Sequence, residues 1–181
     1  MAKSIDEVFD GIVKDCQAIA VEAIKNTAKE VQADIIKEAK SCLQKYYSNY
    51  PNPKVYKRTY RLKRAILPYW ADKSNKNKTS IEVGVQYKSS LLKGAYKSNS
   101  RFHQSGDTWK SVVDKSKLTT DNGIPEPDWI LENFLEGIHP WAQNDTESTN
   151  SLMEEFFDTK LPDRINQYVQ KELFNAITNR I

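Results

Sequence analysis

The chain has 181 residues, of which 39% are hydrophobic, 10% aromatic and 28% charged. This length favours a single domain over residues 1–181, and the aromatic content argues against a disordered chain. The sequence contains no apolar run of about eighteen residues, and its first residues reach acidic side chains at once, so we expect neither a membrane span nor a secretory signal. Cys16 and Cys42 would stand about 39 Å apart on one ideal helix, too far for a disulfide, so we expect a reducing compartment.

The net charge of +3 is unevenly distributed along the chain. Residues 1–50 carry a net charge of −1, residues 51–120 carry +12 and residues 121–181 carry −8. One interpretation is that the basic middle faces a polyanion such as DNA. Another is that it contacts the acidic end of a second copy, a head-to-tail arrangement that can close into a ring. A solvated surface of uneven charge is the third interpretation, and charge alone does not choose among them.

Residues 4–48 have the pattern of one long helix, which occupies the region 1–50. Apolar or small side chains recur at steps of three and four along its length, which places them on one helical face. Ser4 followed by Glu7 predicts a capping box, and Pro51 ends the element. An unbroken helix would be about 66 Å long, more than the core of one domain needs. We therefore expect part of the apolar face to pack on a second helix or on a neighbouring subunit.

Residues 54–87 form a basic region that favours strands. The alternation within residues 54–69 indicates a half-buried strand, and a short helix over residues 58–66 is the alternative. Residues 71–80 have the composition of a polar loop. The segment Ile81–Tyr87 alternates over its full length and predicts a strand.

Residues 88–128 form a polar insertion, and only Trp109 to Val113 resembles a strand within it. A connection of this length inside a compact domain is unusual and is often functional. We interpret the insertion as a protruding arm or hairpin that orders on assembly, with a mobile loop as the alternative.

Residues 129–181 form a core segment followed by C-terminal helices. Ser151 and Glu154 have capping-box spacing and predict the start of a short helix that runs through Asp158. Pro162 fits the first turn of a final helix. The apolar stripe of this final helix is Leu161, Ile165, Tyr168, Val169, Leu173, Ile177 and Ile181.

These elements predict an α+β fold. It has a long N-terminal helix, a small and mostly antiparallel sheet with a large insertion or arm, and C-terminal helices.

The sequence offers no recognisable catalytic or metal-binding pattern. His103 and His139 are the only histidines, and neither Cys-x-x-Cys, His-Glu-x-x-His nor a glycine-rich phosphate loop occurs. Cys16 and Cys42 fall near the apolar stripe of the first helix, which favours buried structural thiols. We therefore expect no enzymatic activity, no cofactor and no metal.

The basic segment 54–64 has the composition of a nucleic-acid surface, because its cations are interleaved with Tyr56 and Tyr60. On a strand, however, these cations would be divided between both faces, and no sequence-reading motif is present. A non-specific nucleic-acid-binding module that uses this segment is therefore an alternative function.

Two stretches resemble a known family. The sequence Tyr46-Tyr-Ser-Asn-Tyr-Pro-Asn-Pro-Lys-Val-Tyr-Lys-Arg-Thr-Tyr-Arg-Leu62 resembles the helix exit and first strand of the head–tail joining proteins of long-tailed phages, also called neck or tail-completion proteins. The sequence Phe134-Leu-Glu-Gly-Ile-His-Pro-Trp141 is similar to a later Glu-Gly turn of the same family. The order and spacing of these segments cover most of the chain, although residues 88–128 are longer than in the usual member.

The resemblance implies a structural virion protein without catalytic residues. Such a protein forms a ring, usually a hexamer, at the phage neck, where it completes the tail and joins it to the head connector. The implied partners are further copies of the chain, a head-closure or connector protein, a tail terminator or tail tube protein, and genomic DNA in transit without sequence specificity. It would be made in the host bacterial cytoplasm and reside in the virion neck or tail, with no membrane contact.

The candidate site residues are therefore charged and aromatic side chains at an interface or along the DNA channel. In the basic segment they are Lys54, Lys57, Arg58, Arg61, Lys63 and Arg64. In the arm they are Lys93, Tyr96, Arg101 and Trp109, and the acids expected to meet the cations are Glu132, Glu136, Glu154 and Glu155.

Overall fold

The structure, a computed structural model, describes residues 4–48, 62–76, 78–92, 127–138 and 147–180. It confirms the predicted α+β class, with a long N-terminal helix, a two-stranded antiparallel sheet and C-terminal helices. In chain order the elements are α1 (Ile5–Ser48), α2 (Leu62–Ala65), β1 (Ile66–Asp72), β2 (Ile81–Tyr87), a 3₁₀ helix (Ser89–Leu92), α3 (Pro127–Glu136), α4 (Thr149–Glu155), a π-helical turn (Phe156–Lys160) and α5 (Leu161–Thr178). The predicted arm lies outside the described residues from residue 93 to residue 126.

Helix α1 begins with the predicted capping box. The backbone N–H of Ser4 donates to Glu7 Oε2 at 2.9 Å, and the backbone N–H of Glu7 donates to Ser4 Oγ at 3.2 Å. Asp6 and Glu7 in the first turn and Lys45 in the last turn complement the helix dipole. The predicted stop at Pro51 lies outside the described residues.

Residues 62–65 form helix α2, so the strand predicted over residues 54–69 is wrong there and the alternative, a short helix over residues 58–66, is correct for these four residues. Leu62 and Ala65 are both buried, and a spacing of three places them on one helical face, which a strand would not do. Strand β1 starts only at Ile66 and continues to Asp72, two residues into the predicted loop. Strand β2 has the predicted bounds, Ile81–Tyr87.

The capping box predicted at Ser151 is also wrong, because Ser148 caps helix α4. Ser148 Oγ accepts a hydrogen bond from the backbone N–H of Ser151 at 3.3 Å and donates to the carbonyl of Leu135 at 3.0 Å. The short helix predicted through Asp158 does not end there, since the π-helical turn leads into α5. Pro162 lies in the first turn of α5, as predicted.

The chain divides into two compact units. The first contains Met1–Ile35, Tyr69–Gly84 and Phe157–Ile181, and the second contains Ile36–Pro68 and Val85–Phe156. The prediction of a single domain over residues 1–181 stays a prediction.

An aromatic cluster forms the core of the second unit. Phe134 is fully buried, and its ring meets those of Tyr46 and Tyr87 edge-on, with centroid distances of 5.5 and 6.2 Å. The hydroxyl of Tyr46 donates to the carbonyl of Ile138 at 3.0 Å. Gly137, which has a φ of 74°, ends α3 immediately before that carbonyl. The second unit is therefore closed around one end of α1 and the end of α3.

Candidate functional site

The first turns of α1 expose a row of large apolar side chains. Ile5, Val8, Phe9 and Ile12 are 75%, 48%, 63% and 53% exposed, and we call these four residues the N-terminal stripe. Every residue from position 4 to position 18 is exposed. Contiguous exposed apolar surface is typical of an interaction site.

The charged side chains of this segment lie beside and behind the stripe. At 100° per residue, Asp6 and Asp15 fall on its two margins, whereas Glu7 and Asp10 fall on the opposite side of the helix. Lys14 is the one cation between residues 4 and 18. The segment therefore presents an apolar ridge with acidic margins.

A second apolar surface, a groove of about 470 Å³, lies in the first unit. Helix α1 provides small side chains such as Ala20 and Ala23, strand β2 provides Ile81, and helix α5 provides Val169 and Leu173. Thr27 is the one polar residue among the described residues that line the groove, and its Oγ1 is buried without a hydrogen-bond partner. Alanines on α1 leave the space that larger side chains would fill.

Part of the predicted stripe of the final helix, namely Ile165, Val169 and Leu173, forms one wall of this groove, whereas Leu161 is buried. Val169, Leu173 and Ile177 remain 37%, 36% and 47% exposed, whereas Glu172 and Ala176 on the same helix are buried. Polar contacts between α5 and α1 hold the helix in this orientation.

Helix α5 is tied to α1 by two clusters of polar side chains. Arg164 Nη1 lies 3.0 Å from Asp34 Oδ2, and the hydroxyl of Tyr168 donates to the same oxygen. This hydrogen bond, with desolvation and the negative charge of Asp34, raises the pKa of Tyr168 above its ordinary value. Lys171 forms an ion pair with Glu30, and the hydrogen bond between them raises the pKa of Lys171. These contacts fix the two helical walls of the groove.

A basic hairpin adjoins the groove. Lys73, Lys76 and Lys78 are exposed between β1 and β2, and the chain leads from them directly into Ile81 of the groove wall. We call these three residues the lysine hairpin. Asp72 is the acid next to them, and hydrogen bonds from Ser74 lower its pKa. Lys78 precedes the groove residue Ile81 by three positions in the chain.

Six of the fourteen predicted site residues lie in the described part of the chain. Lys63 and Arg64 are exposed on α2, which is a helix and not the predicted strand. The acids Glu132, Glu136, Glu154 and Glu155 are exposed on α3 and α4, and Glu136 accepts a hydrogen bond from Asn150 Nδ2 at 2.9 Å. The predicted meeting of these cations with these acids is a contact between copies and stays a prediction. The residues outside the described ranges are Lys54, Lys57, Arg58, Arg61, Lys93, Tyr96, Arg101 and Trp109.

Sequence reasoning missed both the groove and the lysine hairpin. The alanines in the apolar face of α1 could have indicated the groove, since small side chains on an apolar helical face leave space that a larger side chain can occupy. The cysteine prediction is correct for Cys42, which is buried and whose pKa is raised by that burial. It is wrong for Cys16, which is exposed because nothing in the described chain covers the first turns of α1.

The described residues contain no group of three or more His, Cys, Asp or Glu side chains that could hold a metal ion. None of the helices within the described ranges combines the length and apolar content needed to cross a membrane. Comparisons of the chain with protein-family models, with curated proteins and with solved structures find no match in any of the three.

Proposed function

We propose that the protein is a structural virion protein that forms a ring at the neck of a long-tailed phage. There it completes the tail and joins it to the head connector, with genomic DNA passing through the ring. The observation that carries this proposal is the N-terminal stripe, because four large apolar side chains stand exposed at 48–75% on a well-capped helix. A side chain of this kind gains about 1.5–3 kcal/mol when it is buried, so the stripe favours association.

Ring formation needs two different complementary surfaces on each subunit. The N-terminal stripe, on the first turns of α1, and the groove, which begins at Ala20 of the same helix, are two such surfaces. The charge distribution offers a further complementary pair, since residues 51–120 carry +12 and residues 121–181 carry −8. The resemblance of residues 46–62 and 134–141 to head–tail joining proteins gives the ring its proposed place.

The proposed partners follow from that place. They are further copies of the chain in a ring of six, a number that rests on the family resemblance alone, a head-closure or connector protein on one side, and a tail terminator or tail tube protein on the other. Contact with DNA would be electrostatic and independent of sequence.

A second candidate function is a non-specific nucleic-acid-binding module. Lys63 and Arg64 favour it, because both are exposed at the described end of the basic segment 54–64. Sedimentation with and without duplex DNA separates the two candidates. A DNA-binding module would associate with DNA alone and lose affinity steeply as salt rises, whereas a neck protein would assemble without DNA.

The proposed function is tested by removing the protein from the phage that encodes it. Growth in a host that does not translate the gene is expected to yield filled heads and separate tails, and supplying the chain from a plasmid should restore joined particles. Electron microscopy of the purified particles should then place the protein at the neck. Joined, infectious particles without the chain would contradict the proposal.

A further inference from the structure

We propose that the N-terminal stripe of one copy binds in the apolar groove of a second copy, beside the lysine hairpin. This inference deepens the proposed function and rests on it only for the closure of successive contacts into a ring. The contact itself is a property of the isolated protein.

The spacing of the stripe fits a helix that binds in a groove. Ile5, Val8, Phe9 and Ile12 follow the pattern i, i+3, i+4 and i+7, by which amphipathic helices place their anchors in apolar grooves. The groove is about 470 Å³ and is lined by apolar side chains apart from Thr27. The stripe is exposed, and so are Ile24, Val169 and Leu173 of the groove, so association removes apolar area from water on both sides.

The stripe cannot reach the groove of its own chain. Ile12 and Ala20, the first groove residue on α1, belong to one continuous helix and are separated by about 12 Å along its axis. A continuous helix cannot fold its first turns back onto its own later turns. A stripe that enters the groove must therefore come from another molecule.

Charge complementarity identifies that molecule as a second copy. Asp6 and Asp15 flank the stripe, and residues 4–18 contain four acids against Lys14 alone. The lysine hairpin leads into strand β2 of the groove wall, and in the contact between copies it would lie near these acids. Pairing of two N-terminal stripes with each other would instead bring two acidic segments together, and this disfavours the coiled-coil alternative.

The contact joins two different surfaces, so each copy retains one free stripe or one free groove after the first association. Such a heterologous contact generates a closed ring when the rotation between neighbours closes, and an open filament when it does not. This is the kind of contact that the proposed neck ring requires.

Two single variants and their mixture test the contact in the purified, full-length protein. Phe9→Asp damages the stripe and leaves the groove intact, and Ile24→Glu damages the groove and leaves the stripe intact. Both side chains are exposed, at 63% and 40%, so we expect both variants to fold. Gln17→Glu is the matched control, because it adds an acidic charge to the same helix away from the stripe. Circular dichroism verifies the helix content, and Val8→Asp or Leu173→Glu replaces a variant that does not fold.

Analytical ultracentrifugation is expected to show that the wild type and Gln17→Glu self-associate. Each damaged variant alone should associate at least about tenfold more weakly. The mixture of Phe9→Asp with Ile24→Glu should form a heterodimer, because it contains one intact stripe and one intact groove.

Three results would overturn the contact. The first is a wild type that remains monomeric at high concentration, and the second is a mixture that forms no heterodimer. The third is normal association of Ile24→Glu, which would indicate that two stripes pair with each other. Association of the pure protein together with undisturbed head–tail joining in phage lacking it would refute the proposed function and leave the contact intact.

Discussion

Two parts of helix α1 have the same apolar periodicity and opposite exposure. Ile12, in the first part, is 53% exposed, whereas Ile35, six turns later, is 1% exposed. Both belong to a stripe with steps of three and four residues. The difference teaches that periodicity determines which face of a helix is apolar, whereas the elements packed against that face determine whether it is buried.

The later part is buried because other elements lie against it. Within the first unit, the carbonyl of Tyr69 on β1 accepts a hydrogen bond from Gln32 Nε2 at 2.8 Å, and α5 pairs with Asp34 through Arg164. No described element covers residues 4–18. In the monomer those first turns depend on the Ser4 cap and on local propensity, whereas the later turns depend on tertiary packing.

The largest difference is expected in the reactivity of the two cysteines, one in each part of the helix. Cys16 is exposed, and Cys42 is 2% exposed with a raised pKa. If Cys42 reacts only from opened molecules, it should react with iodoacetamide about 10³-fold more slowly than a free thiol, while Cys16 reacts directly. Mass spectrometry of the dilute native protein measures both rates.

Equal rates in the native protein would contradict the burial of Cys42. The same measurement in denaturant is the control, since both thiols should then react alike. A high protein concentration should slow Cys16 alone if the stripe enters a second copy, because Cys16 follows Ile12 by one helical turn.

A matched pair of substitutions tests the energetic side of the comparison. Ile35→Ala should lower the free energy of unfolding by about 2–5 kcal/mol, because it opens a cavity at a buried position. Ile12→Ala should change it by less than about 0.5 kcal/mol, since that side chain is exposed in the monomer. Urea denaturation, at a concentration where the protein is monomeric, measures both values.

A large cost of Ile12→Ala under those conditions would mean that the first turns of α1 are packed within the monomer. The comparison between the two parts of the helix would then fail. A small cost of Ile35→Ala would contradict the packing of the later part instead.

Sequence reasoning predicted the elements whose signals are local. The Ser4–Glu7 capping box and the strand Ile81–Tyr87 depend on neighbouring residues, and both are confirmed. The spacing of Ser151 and Glu154 also predicts a cap, but Ser148 is the cap instead. The hydroxyl of Ser148 donates a hydrogen bond to the carbonyl of Leu135, thirteen residues away. No local pattern contains that contact.

The groove was not predicted for the same reason. It depends on which face α5 turns toward α1, and the pairs of Asp34 with Arg164 and of Glu30 with Lys171 join residues more than 120 positions apart. The stripe on the final helix was visible in the sequence. Its exposure at Val169 and Leu173 was not, because exposure depends on those distant pairs.

Two tyrosines in the second unit allow a comparison of a hydrogen-bonded hydroxyl with an unpaired one. The hydroxyl of Tyr46 donates to the carbonyl of Ile138, whereas the hydroxyl of Tyr87 is buried without a partner. Tyr46→Phe should therefore cost about 0.5–1.5 kcal/mol of unfolding free energy, and Tyr87→Phe should be neutral or stabilising. Thermal denaturation of the two variants measures the difference, and a larger cost for Tyr87→Phe would contradict it.

The same tyrosine gives the protein a pH dependence in alkali. Burial raises the pKa of Tyr87 to about 12, whereas the unfolded chain has the ordinary value of about 10. The folded state therefore holds the hydroxyl proton of Tyr87 more tightly than the unfolded chain does. The stabilisation that this difference provides is complete below pH 10 and is lost as the pH rises toward 12. Stability curves over this range should fall less for Tyr87→Phe than for the wild type, and parallel curves would contradict the burial of this hydroxyl.

The smallest effects are expected at the ion pairs between α1 and α5. Arg164→Gln removes a contact of 3.0 Å to Asp34, an acid whose side chain is only 14% exposed. We expect the unfolding free energy to fall by up to about 1 kcal/mol, the upper end for partly exposed pairs, because the mostly buried Asp34 loses a nearby cation. Arg180→Gln is the matched control, since its pair with Glu22 is longer, at 3.6 Å, and more exposed. It should cost less than about 0.5 kcal/mol. Denaturation in 1 M salt should reduce both losses of unfolding free energy, since salt then screens the charges strongly. A larger loss for Arg180→Gln than for Arg164→Gln would show that burial of the acid does not determine the strength of these pairs.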